Sequence, residues 1–159
     1  SPGDLLGEQD AGYGLLQDIT IDGILALSAE AVGAMEILYK DTVAYTQERQ
    51  QFDHRLSDFQ VLQHRMVDMF MEHEQSKSLM FMAAMRWDEG YGPDAQKAVS
   101  AFKVQVGKSG KFVGQGAVQL HGGRGMTDEL YIGHYFKRLT IIDTLFGNVD
   151  FHLKRFGRL

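Results

Sequence analysis

Two stretches of the sequence carry residue types that could do chemistry. In Arg49-Gln50-Gln51-Phe52 an arginine offers a planar fork of donors that matches a phosphate. Three residues on, a phenylalanine offers a flat face for a base or ring. In Gln119-Leu120-His121-Gly122-Gly123-Arg124-Gly125, consecutive glycines let the backbone come very close to a ligand, and their N–H groups could form an anion-binding nest. Each stretch also has a plainer explanation. Arg49 and Phe52 read as a charged helix end with one core aromatic, which composition alone favours. The glycine run reads as a tight turn between helices.

Other chemistries lack their residues. With no cysteine, the chain holds no disulfide, thiolate metal site or cysteine nucleophile. The six histidines are dispersed without metal-ligand spacing, so no metal site is expected. Glu72-His73-Glu74 does not supply the Glu-x-x-His of di-iron bundles and reads as a solvated face with one partly buried histidine. Neither a Gly-x-Ser-x-Gly elbow nor a phosphate loop occurs. The balance of 16 Lys+Arg against 21 Asp+Glu gives a net charge of −5, which argues against nucleic acid as a partner. No apolar run approaches the roughly 20 residues that cross a bilayer. The first ten residues lack the pattern of a signal peptide. A cytoplasmic protein without a membrane partner is expected.

The elements that must position these residues are helices. With 159 residues and 44% hydrophobic composition the chain can bury one core. Residues 1–20 are glycine-rich and aperiodic, which predicts a loop or strand remnant. From about Asp22, residues Ile24, Leu27, Ala31, Met35 and Leu38 recur at three- and four-residue steps, giving a helix to about Glu48. The polar segment 49–56 breaks that period. Ser57-Asp58-Phe59-Gln60 has the form of a capping box opening a second helix, whose stripe runs from Phe59 to Trp87. Gly92-Pro93-Asp94 opens a third, from Ala98 to Leu120. Gly107, Gly110, Gly114 and Gly116 inside it predict close helix–helix approach. Thr127 is placed to cap a fourth helix, and a last short one follows Gly147-Asn148. The pattern predicts an all-α, up-and-down four-helix-type bundle with short extra helices at the C-terminal end, spanning 21–159.

With these motifs in order, the sequence resembles the C-terminal helical domain of the acyl-CoA dehydrogenase family over essentially its whole length. Leu5-Leu6-Gly7-Glu8 with Gly12-Tyr13 is similar to the stretch leaving that family's β-domain, and Ala29-Glu30-Ala31-Val32-Gly33 to its first bundle helix. Arg49-Gln50-Gln51-Phe52 matches its Arg-x-x-Phe motif, and Asp58-Phe59-Gln60 its next helix start. Gln119 to Met126 matches its Gln-x-x-Gly-Gly-x-Gly-aromatic signature. The resemblance implies a longer protein, with an N-terminal helical domain and a β-domain preceding this bundle. It implies FAD as cofactor, acyl-CoA as substrate, and a homo- or hetero-oligomer of the dimer-of-dimers kind. Arg49, Phe52, Gln119, Gly122, Gly123 and Asn148 would then face flavin, partly across a subunit boundary.

The family removes an α-proton with a glutamate found in one of two places. Here those places read Phe146 and Gly23, neither of which can take a proton, and the arginine that commonly follows the latter is Ile24. Lys137-Arg138 stands in place of Arg-Asp, and Asp53 in place of a glycine. The expectation is a partner-dependent or non-catalytic subunit that contributes flavin contacts. Two alternatives remain: an active dehydrogenase using Asp22 or Asp143 as base, and a helical oligomerisation module with no flavin role.

Overall fold

The computed structural model describes Asp4, Leu5 and residues 7–159. Ser1, Pro2, Gly3 and Leu6, part of the glycine-rich start, lie outside the described residues. Three long helices form the body: α1 (Gly12–Glu48), α2 (Gln60–Glu89) and α3 (Pro93–His121). Two shorter ones, α4 (Ile132–Thr144) and α5 (Val149–Arg158), complete an all-α bundle. Between α1 and α2 a small antiparallel hairpin pairs β1 (Gln50–Gln51) with β2 (His54–Arg55). No helix among the described residues is long and apolar enough to cross a membrane.

The first helix opens at Gly12, ten residues earlier than its apolar period suggests. Residues 12–20 are therefore helical and not loop. Leu15, Leu16 and Ile19 are exposed there, so they add no inward stripe for periodicity to detect. The Ser57–Gln60 capping box does not form either. Phe59 caps α2 without a side-chain bond, while the Arg55 N–H donates to Asp58 Oδ2 at 3.1 Å. Thr127 caps no helix. It closes a short 3₁₀ turn over Gly122–Met126 by donating to the Arg124 carbonyl at 2.9 Å, and α4 starts five residues later.

The third helix packs against each of the other four. Its buried face carries Val99, Phe102, Val106, Val113, Ala117 and Leu120, and α1 answers with Ile21, Ile24, Met35 and Leu38. Burying one such side chain contributes about 1.5–3 kcal/mol. Glycines inside α3 each cost about 1 kcal/mol in helix propensity, and the packing explains them. A Cβ on Gly107 would fall on Asp143 and Val149, one on Gly110 would come 3.3 Å from Leu139, and one on Gly114 2.6 Å from Phe136. Descending partners against ascending glycines fix an antiparallel α3–α4 register. Gly116 faces the other way, toward Met69 of α2 at 2.9 Å. Arg138 of α4, which stands outside the family pattern, ties α4 to α1 through two bonds to Glu30 at 2.6 and 2.8 Å.

Buried polar groups are mostly satisfied. Thr42 donates to the Leu38 carbonyl at 2.6 Å. Ser28 Oγ, Asp143 Oδ1 and His73 are exceptions among the described residues: His73 is wholly buried, against the sequence reading, and neither ring nitrogen has a hydrogen-bond partner. The Glu74 carboxylate lies 3.1 Å from its Nδ1, outside hydrogen-bond geometry. Glu72 is half-buried, and its Oε2 accepts from Ser109 Oγ at 2.5 Å and Gln105 Nε2 at 3.1 Å.

Candidate functional site: a basic groove and a filled pocket

Arg49 caps α1, its N–H donating to the Tyr45 carbonyl at 2.9 Å, and its own carbonyl accepts from Leu56 at 2.8 Å. The chain reverses through Phe52 and Asp53, whose φ of 55° and 63° make the two-residue turn that a twisted hairpin prefers. Asp53 thus occupies a left-handed position where glycine is usual, which Asp tolerates better than most residues. Across from the hairpin, Gly122 ends α3 at φ 60° with its N–H on the Gln119 carbonyl.

The two sequence motifs meet here. A groove of about 490 Å³ is lined by Arg49, Gln119, Gly122 and Gly123, with Arg65 and Arg124 completing its rim. None of these three guanidiniums makes an ion pair among the described residues, although the chain is acidic. A Cβ at Gly122 or Gly123 would meet nothing within 4 Å, so the turn faces open space. Gly125 differs, since a Cβ there would lie 2.7 Å from the Val118 carbonyl. His121 forms one wall, stacked on Tyr45 with ring centroids 4.3 Å apart, its Nδ1 bonded to the Ala117 carbonyl at 2.8 Å. Burial pushes its pKa down, with that bond and Asp41 opposing. Positive groups, an open glycine turn and an aromatic wall suit a phosphate-bearing ring compound.

Phe52 does not line this groove. It stands at the hairpin tip, 87% exposed. Asn148 is elsewhere too, capping α5 by accepting from the Phe151 N–H at 3.0 Å. Arg65, Arg124 and Tyr45 are the additions. Only Arg124 lay within a motif; Arg65 sits in α2 with no local signal.

Toward the N-terminal end of α3, Gly23 and Phe146 are brought into contact. A Cβ on Gly23 would be 3.0 Å from the Phe146 ring. The loop after α4 presents that ring from left-handed backbone, with φ 58° at Phe146 and 100° at Gly147. Three bonds hold the loop. Lys103, wholly buried in α3, donates to the Ile142 carbonyl, His152 Nε2–H donates to the Phe146 carbonyl at 3.0 Å, and Asn148 caps α5. Burial pushes the pKa of Lys103 down, with Asp143 opposing, and burial does the same to His152. Asp143 turns toward Gly107, its buried Oδ1 without a hydrogen-bond partner. Asp22 Oδ1 accepts from the Trp87 indole at 2.7 Å. No group of His, Asp and Glu among the described residues could hold a metal ion.

Residues 14–158 match the family described as "Acyl-CoA dehydrogenase, C-terminal domain". The chain belongs to that family. An acyl-CoA dehydrogenase relative, the butyryl-CoA dehydrogenase of Megasphaera elsdenii, superposes with a TM-score of 0.90 at 26% identity, covering 96% of this chain and 39% of that one. A structure titled "PigA with FAD and proline" superposes equally well, at 26% identity over 96% of this chain and 39% of the other. The 3-(aryl)acrylate reductase of Clostridium sporogenes is 27% identical over 139 residues, which is 87% of this chain and 36% of that protein. The chain therefore spans little more than a third of the relatives it matches. The dehydrogenase-type bundle is the part of them that it represents.

Proposed function

We propose that this bundle is the flavin-contacting domain of an FAD-dependent acyl-CoA dehydrogenase assembly in which it does not supply the catalytic base. The observation that carries the first half is the groove where Arg49, Gln119, Gly122 and Gly123 converge with two further unpaired arginines. It fits the diphosphate of FAD on two counts: charge and the open space over Gly122 and Gly123. Arg49, Arg65 and Arg124 would hold phosphate oxygens, the Gly122–Gly123 backbone would let them approach closely, and Tyr45 would bound a ring. Bound FAD would supply a hydride acceptor for the β-hydrogen of an acyl thioester.

The second half is supported by the Phe146 ring against Gly23. A general base needs a carboxylate held free in a dry pocket. The positions that face one another there are phenyl and glycine. Asp22 accepts the Trp87 indole, and Asp143, although its buried Oδ1 is unpartnered, is packed against Gly107 of α3 with the Lys103 charge beside it, which favours neither as the base. A paralogous partner subunit would then provide it.

Titrating the chain with FAD tests the groove. Weak binding that declines with added salt is expected, because the contacts are charged and partly open. Arg49→Ala and Gly123→Val should each abolish it. Equal binding by both variants and the unaltered chain would overturn the assignment. Anaerobic flavin bleaching by acyl-CoA thioesters, using the longer protein alone and with its closest co-encoded homologue, tests the missing base. Bleaching only in the mixture is expected, and bleaching by the protein alone would refute it.

A further inference from the structure

Among the described residues His73 is the one wholly buried titratable side chain that makes no hydrogen bond. It sits at the seam of α1 and α2, with the buried Met69 one turn before it and the buried Ser76 one turn after it on its own helix. From α1 the Tyr39 ring covers it, centroids 5.1 Å apart, and Tyr39 in turn meets the edge of Phe70 at 5.7 Å. An imidazole buried without partners has given up the hydration of two nitrogens for nothing in return. Packing alone keeps the ring in place.

Charges surround the ring without engaging it. From α1 comes Glu36, itself paired with Lys40 at 2.5 Å. From α2 come Glu74, Lys77 and the neighbouring Glu72. Glu72 is already held by Ser109 and Gln105, the neutral side chains that α3 brings there. Glu74 is the acceptor within reach. Its Oε1 lies 3.1 Å from His73 Nδ1 but outside hydrogen-bond geometry, and its side chain is 44% exposed, so an aligned pair would lie toward solvent. Beside the ring, Tyr39 and Phe70 line an apolar groove of about 320 Å³ with Val43, Met66 and Val67. The same two helix segments carry Tyr45 and Arg65, which line the arginine-rich groove.

We propose that His73 is an acid-sensitive latch on the α1–α2 seam. Neutral, the ring fills the space under Tyr39 and holds the two helices together. Protonated, it carries a charge that the apolar seam cannot solvate, and it swings outward to donate its Nδ1–H to the Glu74 carboxylate. Tyr39 then loses its support and the apolar groove opens. The proton comes from solvent and stays on the imidazole. Burial pushes the pKa of His73 below the ordinary 6.5, with Glu74 and Glu36 opposing, so the open seam takes the proton before the closed one does. The latch uses none of the flavin contacts and stands or falls apart from them.

Amide exchange over residues 36–43 and 63–73, corrected for its intrinsic pH dependence, reads the opening of the seam in the whole chain. The Tyr39 ring resonances read its packing. Between pH 6.5 and 5.5 the opening should rise by up to about tenfold, the limit for one proton taken up on opening. Tyr39 should shift with the same midpoint as the His73 ring. In His73→Phe, which fills the seam without a titrating nitrogen, both responses should vanish. Glu74→Gln, a change at a partly exposed side chain, should leave the fold intact and blunt them. Responses that persist in His73→Phe, or stay undiminished in Glu74→Gln, would overturn the proposal. So would a rise shared equally by α3, or a His73 ring that titrates while Tyr39 stays still.

Discussion

The ring of Phe146 occupies the space where residue 23 would carry a β-carbon, with Cε2 and Cζ 3.0 Å from that point. Alanine at position 23 would gain about 1 kcal/mol of helix propensity but must displace the ring. Gly23→Ala is therefore expected to yield no gain in the unaltered chain and about 1 kcal/mol in a Phe146→Ala background. Urea unfolding of the four proteins closes the double-mutant cycle. The same gain in both backgrounds would refute the contact.

The α3 glycines make a sharper forecast. Gly107→Ala and Gly114→Ala overpack against α4 and should each destabilise by about 1–3 kcal/mol. Gly33→Ala on the exposed side of α1, where a Cβ meets nothing, should stabilise by up to about 1 kcal/mol. Thermal melts read the contrast, at roughly 2–4 °C per kcal/mol for a chain of this size.

Removing the buried ammonium of Lys103 should leave the Ile142 carbonyl without its donor. Lys103→Met is expected to cost about 1–3 kcal/mol, the usual range for an orphaned buried group. Asp143→Asn should soften that loss, because Asp143 is the charge that faces Lys103. Additive losses in the double variant would separate the two residues.

Acidification should weaken the fold before any carboxylate protonates. His73, His121 and His152 are buried, and burial pushes each pKa below the ordinary 6.5. Each is neutral in the fold, so the unfolded chain takes up protons first as pH falls. Their contribution is full above about 6.5 and drains away below it. Glu30 and Glu36, lowered by Arg138 and Lys40, add a further loss only below 4.5. The urea midpoint measured from pH 8 to pH 5 should drop, and a flat profile would contradict the burial of these rings.

Asn148→Ala should destabilise by about 1 kcal/mol through loss of the α5 cap, whereas Asn148→Ser should retain most of it. FAD titration of the alanine variant should match the unaltered chain. Weakened flavin binding would instead return Asn148 to the cofactor-facing set.

The helices of the core were legible because Ile24, Met35, Leu38, Val99, Phe102 and Val106 repeat at helical spacing and are all buried. The first ten residues of α1 were not, since Leu15, Leu16 and Ile19 point outward and leave no stripe. Arg49 and the Gly122–Gly123 turn could be singled out from donor chemistry and backbone freedom. Arg65 could not, because its role arises from where α2 passes the end of α3. Lys103 was the missed signal: a lysine one residue past Phe102 and three before Val106 sits in a buried register, and its partner carbonyl is 39 residues away. The close helix–helix approach read from the α3 glycines was legible too, and α4 lies on three of the four.

Phe52 remains the most exposed large apolar side chain of the described bundle, and it sits on left-handed backbone in a two-residue turn. The hairpin registers Gln51 with His54 on either side of it, so its main chain has little freedom left. Whatever ring or surface meets Phe52 has only the two side-chain torsions to immobilise. The hairpin would thus act as a preorganised anchor for any such ring or surface, its main-chain entropy already lost when the chain folded.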